Sequence, residues 1–583
     1  MAVSDPHVIA DFLNSLEKKL DILRDNYAEN GGFEKLAADS AEEMNGGKYA
    51  AFISVCDINS RAVVLRGAGD SPEAAWDKAC RNARQYVRKN GLNPAWVKSD
   101  VTVRSERVPF TTLEELITRS RNEFFRRGIS FDEDMETALI EGEINGSRVI
   151  TYKEHKIELV RVNRRLSECG LKTLTEFPEE VRLFDCRSFF IEGDTAYTLY
   201  ESGNNCGRRV NGTFDDKTAL EVIKTAAQYL EMMVGLDGKF EYGYYPIFHK
   251  EIPGYNILRH SSSIWSLICS YRLTKDKFTL GQIQKAIGYM VANTFKKYPD
   301  RPGVINTVYL AEKSKEEVKI GGNAIAVIML TEYMDAVGSD KYRTLCEELG
   351  NGILELFDKR DGSFFHVLNF PTLSPKDKFR TVYYDGEVTF ALARLYGLTR
   401  DRKWLDAAAL SADRFIREGY EKYRDHWVAY AMNELTKYIP EDKYLSFGLK
   451  NADVNLDRIY KQDTTYHTYL ELLCTTFELY SRIVEQGLEC SYLPQFRAQK
   501  FVETIYHRAD YMLNGYGYPE FVMYLKFPAS DRGGFFVRHD GFRMRIDDIQ
   551  HFCGAYYSFY RNYDRLEKLR KSFGITDKAE HEG

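Results

Sequence analysis

From about residue 217 onward, apolar side chains recur every three to four positions in one segment after another, the spacing that lines one face of an α-helix. Followed to residue 570, the pattern predicts helices near 217–234, 261–275, 279–296, 322–337, 340–358, 386–398, 401–419, 426–438, 442–460, 466–486, 496–513 and 546–570. These twelve helices read as six hairpins. Two copies show the repeat plainly: Ile264-Trp265-Ser266-Leu267 through Tyr271 to Thr274-Lys275-Asp276, and Phe390-Ala391-Leu392-Ala393 through Tyr396 to Thr399-Arg400-Asp401. A single hairpin cannot bury its apolar face, so repetition at this interval predicts neighbours that close around one another.

Upstream the pattern changes from period 3.6 to period 2. After a helix near 8–27, Tyr49–Asp57 and Arg61–Gly67 alternate as strands around a turn. Ser71-Pro72-Glu73 opens a helix, with Ser as N-cap and Pro in the first turn, and a third strand follows at 97–103. Arg187–Tyr200 reads as a hairpin turned at Gly193-Asp194. The expected division is a small α+β module over 1–109, a mixed α/β connecting segment over 110–210, and a mainly α domain over 211–583.

Connections within the helical region are unequal. Short turns such as Lys275–Phe278, Gly338-Ser339, Thr399-Arg400 and Pro440-Glu441 alternate with long ones at 235–260, 297–321, 359–385 and 514–545. Long loops in a compact domain are usually functional, and the alternation puts them all at one end. Hairpin number, loop asymmetry and the segment Tyr383-Tyr384-Asp385-Gly386-Glu387-Val388-Thr389-Phe390-Ala391-Leu392 resemble the (α/α)6 toroid superfamily: six-hairpin glycosidases, sugar epimerases and polysaccharide lyases. The resemblance implies that the second helix of each hairpin lines a funnel and that substrate enters at the N-terminal ends of those inner helices.

Seven of the eleven histidines fall at that expected rim: His260, His426, His467 and His551 at helix starts, His249, His366 and His539 in the loops before them. Polar companions gather there, among them Tyr255, Asn256, Glu312, Lys313 and Asn323. A ring of helix N-termini favours hydroxyl-rich or anionic ligands. Glycosidic hydrolysis needs a carboxylic acid to protonate the leaving oxygen and a carboxylate to activate water. The first expectation is therefore a glycoside hydrolase acting on an acidic, uronate-type oligosaccharide. Its candidate carboxylates are Asp385 and Asp548, with Glu387, Asp425 and Asp547 as alternates; Arg259, His260, Arg543 and Arg545 would hold an acidic group, and Trp265, Trp427 and Tyr466 would stack on sugar. The alternative is an epimerase or lyase in which His426, His467 or His551 shuttles the proton. A third is a non-catalytic toroid that binds a glycan or protein.

Composition narrows the field further. Net charge of −6 gives no electrostatic case for nucleic acid or an anionic membrane. The ten cysteines are scattered without CxxC spacing and read as reduced thiols. Without a basic, apolar leader or an 18-residue apolar run, the expected location is the cytoplasm. No phosphate loop, GxSxG elbow or HExxH helix occurs, so neither cofactor nor metal is expected. A sugar is the expected partner, and self-association stays open.

Overall fold

The computed structural model describes residues 5–120, 125–146, 148–151, 153–298, 308–312 and 315–575. The N-terminal unit comprises α1 (Pro6–Glu29), α2 (Gly32–Ser40), β1 (Tyr49–Cys56), β2 (Val63–Gly69), α3 (Pro72–Asn90), β3 (Trp96–Pro109), α4 (Phe110–Arg119), β4 (Gly128–Ser130), α5 (Leu159–Glu168), β5 (Glu180–Glu192) and β6 (Thr195–Thr198). Its antiparallel sheet has the order β2-β1-β3-β5-β4, with β6 also on β5. Strand β3 is twice the expected length and pairs with β5 from Trp96↔Glu192 to Pro109↔Glu180. The expected boundary at 109 therefore falls inside one continuous sheet, and the segments on either side of it form a single unit. Helix α3 begins as anticipated, the Ser71 side chain accepting the Ala74 N–H.

The helical domain follows the predicted count. Outer helices α6 (Asp216–Met232), α8 (Lys277–Asn293), α10 (Arg343–Glu355), α12 (Arg402–Glu418), α14 (Asp442–Asp453) and α16 (Ala498–Tyr511) alternate with inner helices. The inner set is α7 (Ile257–Thr274), α9 (Ile320–Val337), α11 (Tyr383–Thr399), α13 (His426–Leu435), α15 (Thr468–Gln486) and α17 (Ile546–Ser572). Each inner helix packs on the next, and α17 returns to α7, so the six close into a ring with the outer helices around it. This closure makes the chain mainly α and an (α/α)6 toroid. Helix α9 is long and apolar enough to cross a membrane by composition, but it is enclosed: every residue from Ile320 to Leu330 is buried, as befits a helix with neighbours on all sides.

The repeated Tyr, basic and Asp residues have a local cause. Lys275 and Arg400 end α7 and α11 in the left-handed conformation and fold their cations over Tyr271 and Tyr396 one turn back. Asp276 and Asp401 then cap α8 and α12 by accepting backbone N–H groups. Those tyrosines are thus packing elements at the end of the ring remote from the long loops.

The long loops are not structureless. Strand Met544–Arg545 pairs with Gly243–Tyr245, tying the last loop to the first, and strands from the second and third loops share another sheet. The N-terminal unit clamps the last loop in turn. Arg209 forms a two-pronged bond to Glu520 at 2.9 and 2.7 Å, Arg61 Nε donates to Tyr524 O, and Ser54 Oγ lies 2.8 Å from the Tyr524 hydroxyl. The loop that carries Arg543 and Arg545 is thereby held from behind.

Candidate functional site

At the mouth of the ring, α13, α15 and α17 bring three histidines together. Asp425 caps α13 by accepting the Trp427 N–H at 2.9 Å, which sets His426 as the first helical residue. His467 immediately precedes α15, and Glu471 lies one turn further along the same face. His551 lies on α17, four residues after Asp547. The rings of His467 and His551 stack, with centroids 4.7 Å apart and planes inclined by 5°, while His426 meets His551 edge-on at 5.2 Å.

Hydrogen bonding divides their roles. His551 Nδ1 donates to Glu471 Oε2 at 2.7 Å, and its Nε2 lies 3.5 Å from Asp547 Oδ1. Burial by itself would lower the basicity of His551, but Glu471 and Asp547 outweigh it and raise the pKa to about 9. His426 is only 3% exposed, and neither of its ring nitrogens has a hydrogen-bond partner. Burial and the neighbouring cationic His551 hold it well below the ordinary histidine range. His467 is lowered too, chiefly by burial, with Asp548 3.8 Å away acting against it; its Nδ1 has no partner. At neutral pH the cluster therefore holds one imidazolium against two neutral imidazoles.

Carboxylates and arginines interlock around them. Arg545 binds Asp548 through Nη2 and Nε at 2.8 and 3.1 Å and reaches Asp547 at 3.1 Å; Arg259 Nε meets Asp547 at 3.0 Å. Arg543 approaches both Asp548 oxygens at 3.4 Å. Burial would raise both acids, yet the arginines and histidines hold them well below the usual carboxylate range, so both stay ionised. Glu387 behaves in the opposite way. It is 2% exposed, Oε2 has no hydrogen bond, and burial lifts its pKa to about 8 against the pull of Arg259. Gly321 permits this placement, because a Cβ there would lie 2.3 Å from Glu387 Oε2. Asp425 is likewise raised by burial, and its Oδ2 is unpartnered.

Other candidates stand elsewhere. Asp385, fully buried, accepts from the Tyr420 hydroxyl at 2.8 Å and from Arg414 and His366 at 3.3 Å, so both its oxygens are occupied. His260 faces α8: Nε2 donates to Ala286 O at 3.1 Å, Nδ1 accepts from the Tyr255 hydroxyl at 2.6 Å, and the ring stacks on Tyr289. Trp265 and Trp427 stack on each other at 5.9 Å, and Trp427 is buried; Tyr466 is exposed at the rim, its hydroxyl 3.2 Å from that of Tyr383. His249 packs between Tyr244 and Phe527. His539 precedes Asp540 in the same turn, its basicity lowered by burial. Glu312 pairs with Lys319, and Lys313 lies outside the described residues.

Glu471 is the residue that sequence reasoning passed over. Its position one helical turn after His467 was the available signal, since i and i+4 share a face. His426, Glu471 and His551 could hold a divalent cation, their ligand atoms lying within 4.8 Å of one another, although Glu471 is engaged by His551 here.

No protein-family model and no curated protein matches the chain. Among solved structures it is similar to a D-mannose isomerase, with a TM-score of 0.46 and 13% identity over 60% of this chain and 100% of that one. A cellobiose 2-epimerase from Bacillus thermoamylovorans B4167 gives 0.45 and 14%, covering 58% and 99%. A GH76 alpha-mannanase from Bacteroides thetaiotaomicron gives 0.42 and 12%, covering 60% and 97%. The toroid assignment rests on the closure of α17 onto α7.

Proposed function

We propose that this chain is a carbohydrate-active enzyme that moves a proton on the carbon next to a sugar carbonyl, interconverting epimers or an aldose and a ketose, with histidines as base and acid. The observation that carries the reading is the stacked pair of His467 and His551, drawn from different helices into one cluster at the mouth of the ring. Removing a carbon-bound proton needs a neutral imidazole with a free lone pair, which His467 Nδ1 and one ring nitrogen of His426 offer. Returning a proton, or polarising the carbonyl oxygen as the enediolate forms, needs an imidazolium, the form in which Glu471 holds His551. Opposed protonation preferences in adjoining groups mark acid and base assignments.

Turnover of a panel of reducing sugars in deuterated water, followed by NMR, tests the reading. Deuterium should enter at the carbon beside the carbonyl without chain cleavage, and His467→Ala should abolish it. Absence of label with every sugar would sink the proposal. Hydrolysis is the second reading, favoured by Glu387, whose raised pKa suits a general acid. It would appear in the same experiment as new reducing ends and would vanish in Glu387→Gln. Asp385 has no free oxygen to contribute to it.

A further inference from the structure

We infer that Asp540 determines specificity by occupying the arginine edge that a substrate carboxylate would take, restricting the funnel to neutral sugars. The inference rests on the sugar-enzyme reading above and supplies its substrate class. At the mouth, Arg259, Arg543 and Arg545 all face carboxylates of the chain itself. Arg259 pairs with Asp547, Arg545 with Asp547 and Asp548, and Arg543 with Asp548 on one edge and Asp540 on the other. Three cations thus meet three anions among the described residues, and the adjoining ion pair, His551 with Glu471, is neutral as a unit. A uronate entering this ring brings an unmatched negative charge against Asp547 and Asp548, whereas hydroxyls can share the arginine N–H groups without displacing anything.

Asp540 differs from the other two acids. Asp547 and Asp548 are buried in the helix start, but the Asp540 side chain is 34% exposed and stands on the turn before it. That turn is held in an unusual form. Gly541 and Phe542 both take the left-handed conformation, at φ 65° and 58°, which brings Arg543 back so that its N–H donates to Asp540 O at 3.1 Å and its guanidinium meets the Asp540 carboxylate. A positive φ at a bulky aromatic residue is uncommon and is kept where the surroundings enforce it. The enforced geometry presses a carboxylate of the chain onto Arg543.

The test compares the full-length wild type with Asp540→Asn, titrated calorimetrically with a neutral hexose and with its uronic acid. The wild type should bind the neutral sugar at least tenfold more tightly than the uronate. In Asp540→Asn the uronate-to-neutral affinity ratio should rise about tenfold, and the gain should shrink with added salt as an exposed charge pair requires. Asp540→Glu should restore discrimination. An unchanged ratio in Asp540→Asn overturns the inference. So does a wild type that binds the uronate as well as the neutral sugar, and this holds even if the variants fail to fold. Neutral-sugar turnover in deuterated water reports on the catalytic reading separately.

Discussion

Replacing Glu471 with Gln removes the charge that keeps His551 protonated while preserving the shape of the side chain. The shift from the ordinary 6.5 to about 9 corresponds to about 3 kcal/mol in favour of the imidazolium. Burial opposes it, and Glu471 and Asp547 supply the excess, with Glu471 the larger contributor. With Gln at 471, His551 keeps Asp547 on its own helix but still feels burial, so its pKa should fall back toward the ordinary histidine range. Histidine labelled with carbon-13 at Cε1 and followed by NMR from pH 5 to 10 reads this directly. His551 binds its proton more tightly in the folded state, so it contributes stability that is full below pH 6.5 and is lost as pH rises through 9. The wild type should therefore lose about 3 kcal/mol across that window from this group, and Glu471→Gln should lose much less. A His551 resonance that titrates near 9 in both proteins would refute the argument.

Asp385→Asn should cost about 1–3 kcal/mol by weakening the buried bonds to Tyr420 and Arg414, measured by urea denaturation, while the folded fraction keeps its turnover. Gly386→Ala places a Cβ 2.7 Å from the Trp427 side chain, pushing α11 from α13; about 1–3 kcal/mol of stability should go, and turnover should fall because His426 precedes Trp427. His260, lowered to about 4 by burial, binds its proton more weakly in the folded state than in the unfolded one. Stability should drop as pH falls from 6.5 to 4, by up to about 3 kcal/mol, and His260→Gln should flatten that slope in thermal melts.

Helix positions in the ring were legible to within a few residues, because each inner and outer helix carries an apolar face whose period survives in the linear order. Which rim residues face the funnel was not legible. Successive helical positions turn by about 100°, so Arg259 reaches Asp547 while adjacent His260 faces the outer wall. The same step separates Glu387 from Asp385, two residues apart and on opposite sides of α11. Charge balance was hidden for a related reason: Arg543 and Arg545 read as free cations until the fold shows which acids they meet. The sheet crossing residue 109 was missed because the far half of β3 lacks the apolar alternation, its partner being contributed by β5 some 80 residues later.

The order in which these groups leave the ribosome has a consequence for how the protein matures. Arg259 belongs to the first hairpin, His426 and His467 to the fourth and fifth, and Asp547, Asp548 and His551 to the sixth, whose strand Met544–Arg545 seals the ring against the first loop. No chain that stops short of α17 holds all of these side chains, and it leaves apolar flanks of α7 and α15 open to water. Synthesis of the last helix is then also the step that assembles the histidine and carboxylate cluster: its members meet all at once, with the seam.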